Sequence, residues 1–202
     1  MNSVDTSEIV VPVKPIRKKP VNGKAKGSSF ESTIAKRFTE TFAPLIFKRV
    51  PQSGAYAGGM NSRFNHHYSN STLSAFVGDI FVSNEDDVAK TEAWRFKFTV
   101  ECKFYKEADN FSALFKNTTL ISWWEQASSD AAKVANKAPI LIFKYNHTPV
   151  YAGVDPTLTP LPPKMLQTVT LRYYVKDVER RIEICLLDEL LKEADWWKTP
   201  SF

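Results

Sequence analysis

The chain has 202 residues, 43% of them hydrophobic and 24% charged, a balance that suits one soluble globular domain with a sizeable core. No apolar run approaches the ~20 residues that cross a bilayer, and the polar start has no signal-peptide core, so no membrane association and a cytoplasmic location are expected. Two isolated cysteines, Cys102 and Cys185, exclude a CxxC zinc site or a disulfide framework and read as buried thiols.

The net charge of +5 is concentrated at the N-terminus. Residues 1–29 carry Lys14, Arg17, Lys18, Lys19, Lys24 and Lys26 against Asp5 and Glu8, which leaves the remainder only one positive charge in excess. With Pro12, Pro15, Pro20, Gly23 and Gly27 interspersed and no periodicity, residues 1–28 read as a flexible basic tail able to add sequence-independent phosphate affinity. A single domain is expected over 29–202.

An amphipathic helix should open at Ser28, where Ser28 and Glu31 fit a capping box. Phe30, Ile34, Phe38 and Phe42 recur at spacing four, and Pro44 marks the end. A short strand at 47–50 precedes a long polar loop to Asn70, whose adjacent His66 and His67 carry no specific metal pattern. Residues 75–82 read as a strand that is apolar except for Asp79, and 83–92 as an acidic connection. A second strand over 94–105 alternates, with Phe96, Phe98, Val100, Cys102 and Phe104 on one face and Lys97, Thr99, Glu101, Lys103 and Tyr105 on the other. A helix is expected within 111–137 and a strand at 140–145, followed by an irregular Pro-rich run over 146–164. Two strands around Lys176-Asp177-Val178 and a C-terminal helix over 188–197 complete the chain. The order indicates a mixed sheet flanked by helices.

Glu101 and Lys103 lie two apart on a strand and so project from one face. Asp79, after Gly78, interrupts a neighbouring apolar strand. Two carboxylates and an ammonium brought together suit phosphodiester hydrolysis. Hard oxygen ligands, including the Cys102 carbonyl, can hold Mg²⁺, and a lysine can orient the attacking water or offset transition-state charge. Trp123-Trp124 and Trp196-Trp197 each read as one core anchor beside one partly exposed ring.

Gly78-Asp79 followed by Val100-Glu101-Cys102-Lys103 resembles the core of the PD-(D/E)xK nuclease superfamily. With Phe30-Glu31 opening a helix and Arg49-Val50-Pro51-Gln52-Ser53-Gly54 ahead of the aspartate, the arrangement over about residues 29–145 is similar to archaeal-type and phage Holliday-junction resolvases. The resemblance implies an α/β restriction-endonuclease-like core of order αβββαβ, here with an added C-terminal hairpin and helix. It implies a Mg²⁺-dependent endodeoxyribonuclease, with Mn²⁺ substituting, acting on branched DNA as a homodimer, in the host cytoplasm if the chain comes from a phage; the alternatives are a nuclease of the same superfamily acting in restriction, repair or DNA processing, or a non-catalytic DNA-binding or assembly protein that keeps the fold. Asp79, Glu101 and Glu31 would ligate metal with the Cys102 carbonyl, and Lys103 would be the catalytic lysine. Ser53 would lie beside the scissile phosphate and Gln126 would position water or substrate. Arg49, Gln52, Ser53 and Lys144, with Lys18 and Lys19 of the tail, would contact nucleic acid. The connections before Asp79 and between Asp79 and Glu101 are longer than in the resolvases, which bears on the substrate more than on the chemistry.

Overall fold

A computed structural model describes residues 23–51, 77–106, 118–165 and 167–200. Gln52, Ser53, Lys18, Lys19, His66 and His67 lie outside them. Helix α1 (Gly23–Thr41) begins five residues earlier than the capping-box pattern suggests. Lys24, Ala25 and Lys26 are good helix formers, and Ser28 sits inside the helix, its carbonyl accepting from Ser32 Oγ at 2.9 Å. The expected cap therefore does not form.

Strand β1 (Phe47–Arg49) follows, then β2 (Ile80–Val82), helix α2 (Glu85–Glu92), β3 (Trp94–Phe96) and β4 (Phe98–Tyr105). The acidic connection is thus largely helical, with Glu85, Asp86 and Asp87 in the first turn, where the helix dipole favours negative charge. Helix α3 (Thr118–Ala131) leads to β5 (Ala138–Tyr145) and β6 (Val150–Val154), the latter a strand inside the segment expected to be irregular. Strands β7 (Thr168–Val175) and β8 (Val178–Leu186) form a hairpin whose two turn residues, Lys176 and Asp177, both have positive φ, the twist-matched solution for a two-residue loop. The expected C-terminal helix is broken into α4 (Leu187–Leu190) and a 3₁₀ turn at Ala194–Trp197, followed by β9 (Lys198–Pro200).

Seven strands form one mixed sheet in the order β1-β2-β4-β5-β6-β8-β7, parallel only between β4 and β5. Strands β3 and β9 pair separately. The alternation of β4 decides the two cores. Phe98, Val100 and Cys102 pack under the Phe30, Ile34, Phe38 and Phe42 stripe of α1, together with Leu187, Leu190 and Trp197. On the opposite face, Leu120 and Trp124 of α3 pack with Leu141 and Phe143 of β5, whose register partners on β4 are Glu101 and Lys103. Each tryptophan pair splits as expected, with Trp124 and Trp197 buried and Trp123 and Trp196 partly exposed. Both cysteines are buried free thiols. No helix among the described residues is long and apolar enough to span a membrane.

Candidate active site

The site is built where β2 and β4 begin to diverge. The two strands share the bridge Ile80↔Val100. Just ahead of it the chain turns at Gly78 with φ +79°. A Cβ there would meet the Val100 carbonyl oxygen at 2.6 Å, so both the conformation and the close approach require glycine. The turn delivers Asp79 at the head of β2 rather than within a strand. Its N–H donates to the Val100 carbonyl at 2.7 Å, and its own carbonyl accepts from Val50 N at 2.8 Å.

The Asp79 side chain then reaches along β4, where its Oδ2 accepts from the Cys102 backbone N–H at 2.7 Å. The N–H and C=O of one strand residue point to the same flank. The Cys102 carbonyl therefore opens toward the Asp79 side, as a metal-ligand role would require.

Glu101 and Lys103 share the other face of β4, the Lys103 Nζ lying 2.5 Å from Glu101 Oε1. Both Asp79 and Glu101 are buried, at 6% and 3% exposure. Burial, and next the Asp79 charge, push the Glu101 carboxyl up to about 8 against the opposing pull of Lys103. Burial alone would lower the Lys103 ammonium, but the Glu101 and Asp79 carboxylates outweigh it and raise it.

Glu31 approaches from α1. Its Oε2 lies 3.2 Å from Arg49 Nε on β1. Its carboxyl is raised by burial and by Asp79, and held back by Arg49 and Lys103. Glu31, Asp79, Glu101 and Lys103 thus occupy one electrostatic neighbourhood despite their separation in sequence. Among the described residues, no three His, Cys, Asp or Glu side chains are grouped to hold a metal, and the Glu31 carboxylate is engaged by Arg49. Arg49, expected to contact nucleic acid, pairs here with Glu31.

The donors that fit a hard divalent cation are the Asp79 and Glu101 carboxylates with the Cys102 carbonyl. Mg²⁺ is commonly held in this manner, by one or two carboxylates with water and substrate phosphate completing the shell. Two buried acids sharing a neighbourhood also suit such a cation, because it removes the like-charge conflict evident at Glu101.

Gln126 is exposed on α3, because the buried stripe of that helix is Leu120, Trp124, Ala127 and Ala131 and Gln126 falls off it. Lys144 pairs in register with Phe104 and so lies on the face opposite Lys103. The α3 acid that Glu101 senses is Asp130, which is paired with Lys133 at 2.5 Å. No spacing in the sequence distinguishes it from a solvated helix acid.

A family model described as phage putative PDDEXK endonuclease matches residues 22–197. No curated protein and no solved structure matches the chain.

Proposed function

The chain belongs to this phage PDDEXK endonuclease family, and from that premise we propose that it is a Mg²⁺-dependent endodeoxyribonuclease selective for branched DNA. One observation carries the chemistry. A buried aspartate at the head of one strand is hydrogen-bonded to the backbone of a Glu-x-Lys strand whose two charged side chains are paired on one face.

Asp79, Glu101 and the Cys102 carbonyl would hold the ion. When bound, it would supply Lewis-acid stabilisation of phosphoryl charge and activation of water. The chain's own groups set the rest. Asp79 is fixed at two atoms, through its N–H and Oδ2, so its second carboxylate oxygen is oriented without loss of rotamer freedom during the reaction. Lys103 holds a positive charge beside Glu101, placed to orient water or to offset charge developing on the phosphate. Glu31 and Arg49 form a second charged pair at the rim that restrains α1 against β1.

Branched-DNA selectivity is supported by the Arg49-Val50-Pro51-Gln52-Ser53-Gly54 segment ahead of Asp79, in the order that the resolvases share. A four-way junction presents two equivalent strands, so a homodimer follows. Cleavage of a four-way junction, a linear duplex and a single strand, each with Mg²⁺, with Mn²⁺ and with chelator, tests the proposal. Faster cutting of the junction is expected, with Mn²⁺ replacing Mg²⁺ and chelator abolishing activity. Equal cutting of duplex and junction would reassign the substrate to restriction, repair or DNA processing. No metal-dependent cleavage of any DNA would leave a DNA-binding protein that keeps the fold.

A further inference from the structure

A cleft of about 450 Å³ lies away from the Asp79–Glu101 site. It is a groove between α1 and the ends of β4, β5 and β6, of the size that small ligands occupy. At 100° per residue, Lys26, Thr33 and Arg37 fall on one flank of the buried α1 stripe and Glu31 on the other. The groove floor is apolar, made by Phe30, Phe104 and Val150.

Its charge is one-sided. Among the described residues, Lys26, Arg37 and Lys144 line it and no acidic residue does. Arg37 is paired with Asp188 on α4. Lys26 has a neutral partner, Asn146 Oδ1, at 2.6 Å. The Lys26 and Lys144 ammoniums both gather over the Phe104 ring, at 3.9 and 5.6 Å from its centroid. The ring offers each a modest attraction, but no anionic group among the described residues lining the groove offsets their mutual repulsion. Two cations concentrated over a low-dielectric floor focus a positive potential, which an anion would relieve.

We propose that this groove is a second nucleic-acid contact, in which Lys26 and Lys144 hold a backbone phosphate and the Phe30–Phe104–Val150 floor receives the adjoining sugar or base. The apolar floor favours a nucleotide unit over a bare anion, since only the former has apolar surface to bury. Phe104 follows Lys103 directly in β4 but faces the other way, so the groove and the Glu101–Lys103 pair sit on either side of one strand end. A strand passing around that end would be gripped on both sides. The basic N-terminal sequence runs directly into the helix that forms the groove wall.

This inference rests on the nuclease reading, and the two can fail separately. Binding of labelled DNA is measured by anisotropy in chelator across a salt series, for the wild-type chain and for Lys26→Glu/Lys144→Glu. Loss of that phosphate contact should weaken binding about tenfold or more at low salt and make the log K against log salt slope shallower by about 0.7 to 0.9. Unchanged affinity and slope would overturn the proposal. An amine-labelling footprint of the wild-type protein probes the same contact without a variant. DNA should protect Lys26 and Lys144 but not Lys36 and Lys90, which are 79% and 78% exposed. Absent protection, or absent DNA binding, overturns the groove. Mg²⁺-dependent cleavage with no protection overturns the groove alone, and protection without cleavage of any DNA overturns the nuclease reading alone.

Discussion

Two buried Glu–Lys pairs in this protein have nearly the same length and opposite surroundings. Glu85 and Lys137 meet at 2.6 Å, their side chains 12% and 11% exposed. Both ends also close on the backbone of Phe96. Glu85 Oε1 accepts from its N–H at 3.0 Å, and Lys137 Nζ donates to its carbonyl at 2.8 Å. Burial lowers the Lys137 ammonium, with Glu85 opposing. This pair is a clamp that ties α2, β3 and the entry of β5 together. Glu101 and Lys103 meet at 2.5 Å, with the glutamate 4% and the lysine 24% exposed. Here burial, and next the nearby Asp79 carboxylate, raise Glu101 against the pull of Lys103. The first pair satisfies its charges internally, while the second retains a conflict that an added cation would resolve.

The largest separation between the two pairs should appear in activity. Glu101→Gln and Asp79→Asn are each expected to lower the cleavage rate by about 10³-fold or more. Several kcal/mol of metal-derived transition-state stabilisation are lost, while thermal melting shows a folded protein. Full Mg²⁺-dependent cleavage by Glu101→Gln would remove that pair from the mechanism. Glu85→Ala should do the reverse. It leaves a buried ammonium without its partner, at a cost of about 3–5 kcal/mol in denaturant unfolding, and the rate per folded molecule should survive. A folded Glu85→Ala protein that no longer cuts would make the structural pair part of the site and collapse the distinction.

The difference in surroundings begins one residue before Asp79. Gly78→Ala should destabilise the fold by about 1–3 kcal/mol, because a Cβ must adopt positive φ and would press on backbone rather than on a yielding side chain. Since the same strain displaces Asp79 from the Cys102 N–H, cleavage should fall beyond what the lost stability explains. A fall in proportion to the unfolded fraction alone would mean that the turn merely supports the fold.

How much of this was legible in the sequence depended on the range of the interaction. The β4 alternation is local, so it placed Glu101 and Lys103 on one face and the α1 stripe on the other. Asp79 was visible as a polar break in an apolar run, but Gly78 turns the chain there and shortens the expected strand to Ile80–Val82. Strand β6 was hidden by Pro149 and Pro156 on either side of it. The break of the 94–105 strand at Lys97 depends on a remote partner, since the Lys97 N–H donates to the Trp197 carbonyl at 2.9 Å. Nothing within residues 94–105 records that bond. Lys26 reads as part of a basic tail, because only the folded β4–β5 end gives it a ring and a second lysine to stand beside.

The smallest expected effect concerns protons, and it distinguishes the pairs without touching catalysis. Glu101 is held at about 8 in the fold against roughly 4.3 in an unfolded chain. Between those values the folded protein keeps a proton that the unfolded chain has released, so stability falls as pH rises. The contribution is whole below the unfolded value and disappears as pH passes through about 8, with a limiting slope of about 1.4 kcal/mol per pH unit. Lys103, raised above its ordinary value, titrates on the alkaline side of this window and leaves it undisturbed. Denaturant unfolding in chelator at pH 5.5, 6.5 and 7.5 should therefore show the wild type losing about 1 kcal/mol per unit relative to Glu101→Gln, which carries no such proton. Mg²⁺ should stabilise the wild type more at pH 8 than at pH 6, because the cation competes with that proton for the carboxylate. Parallel pH profiles for the two proteins would show that Glu101 is already charged in the fold, and the contrast with Glu85 would then lie in geometry alone.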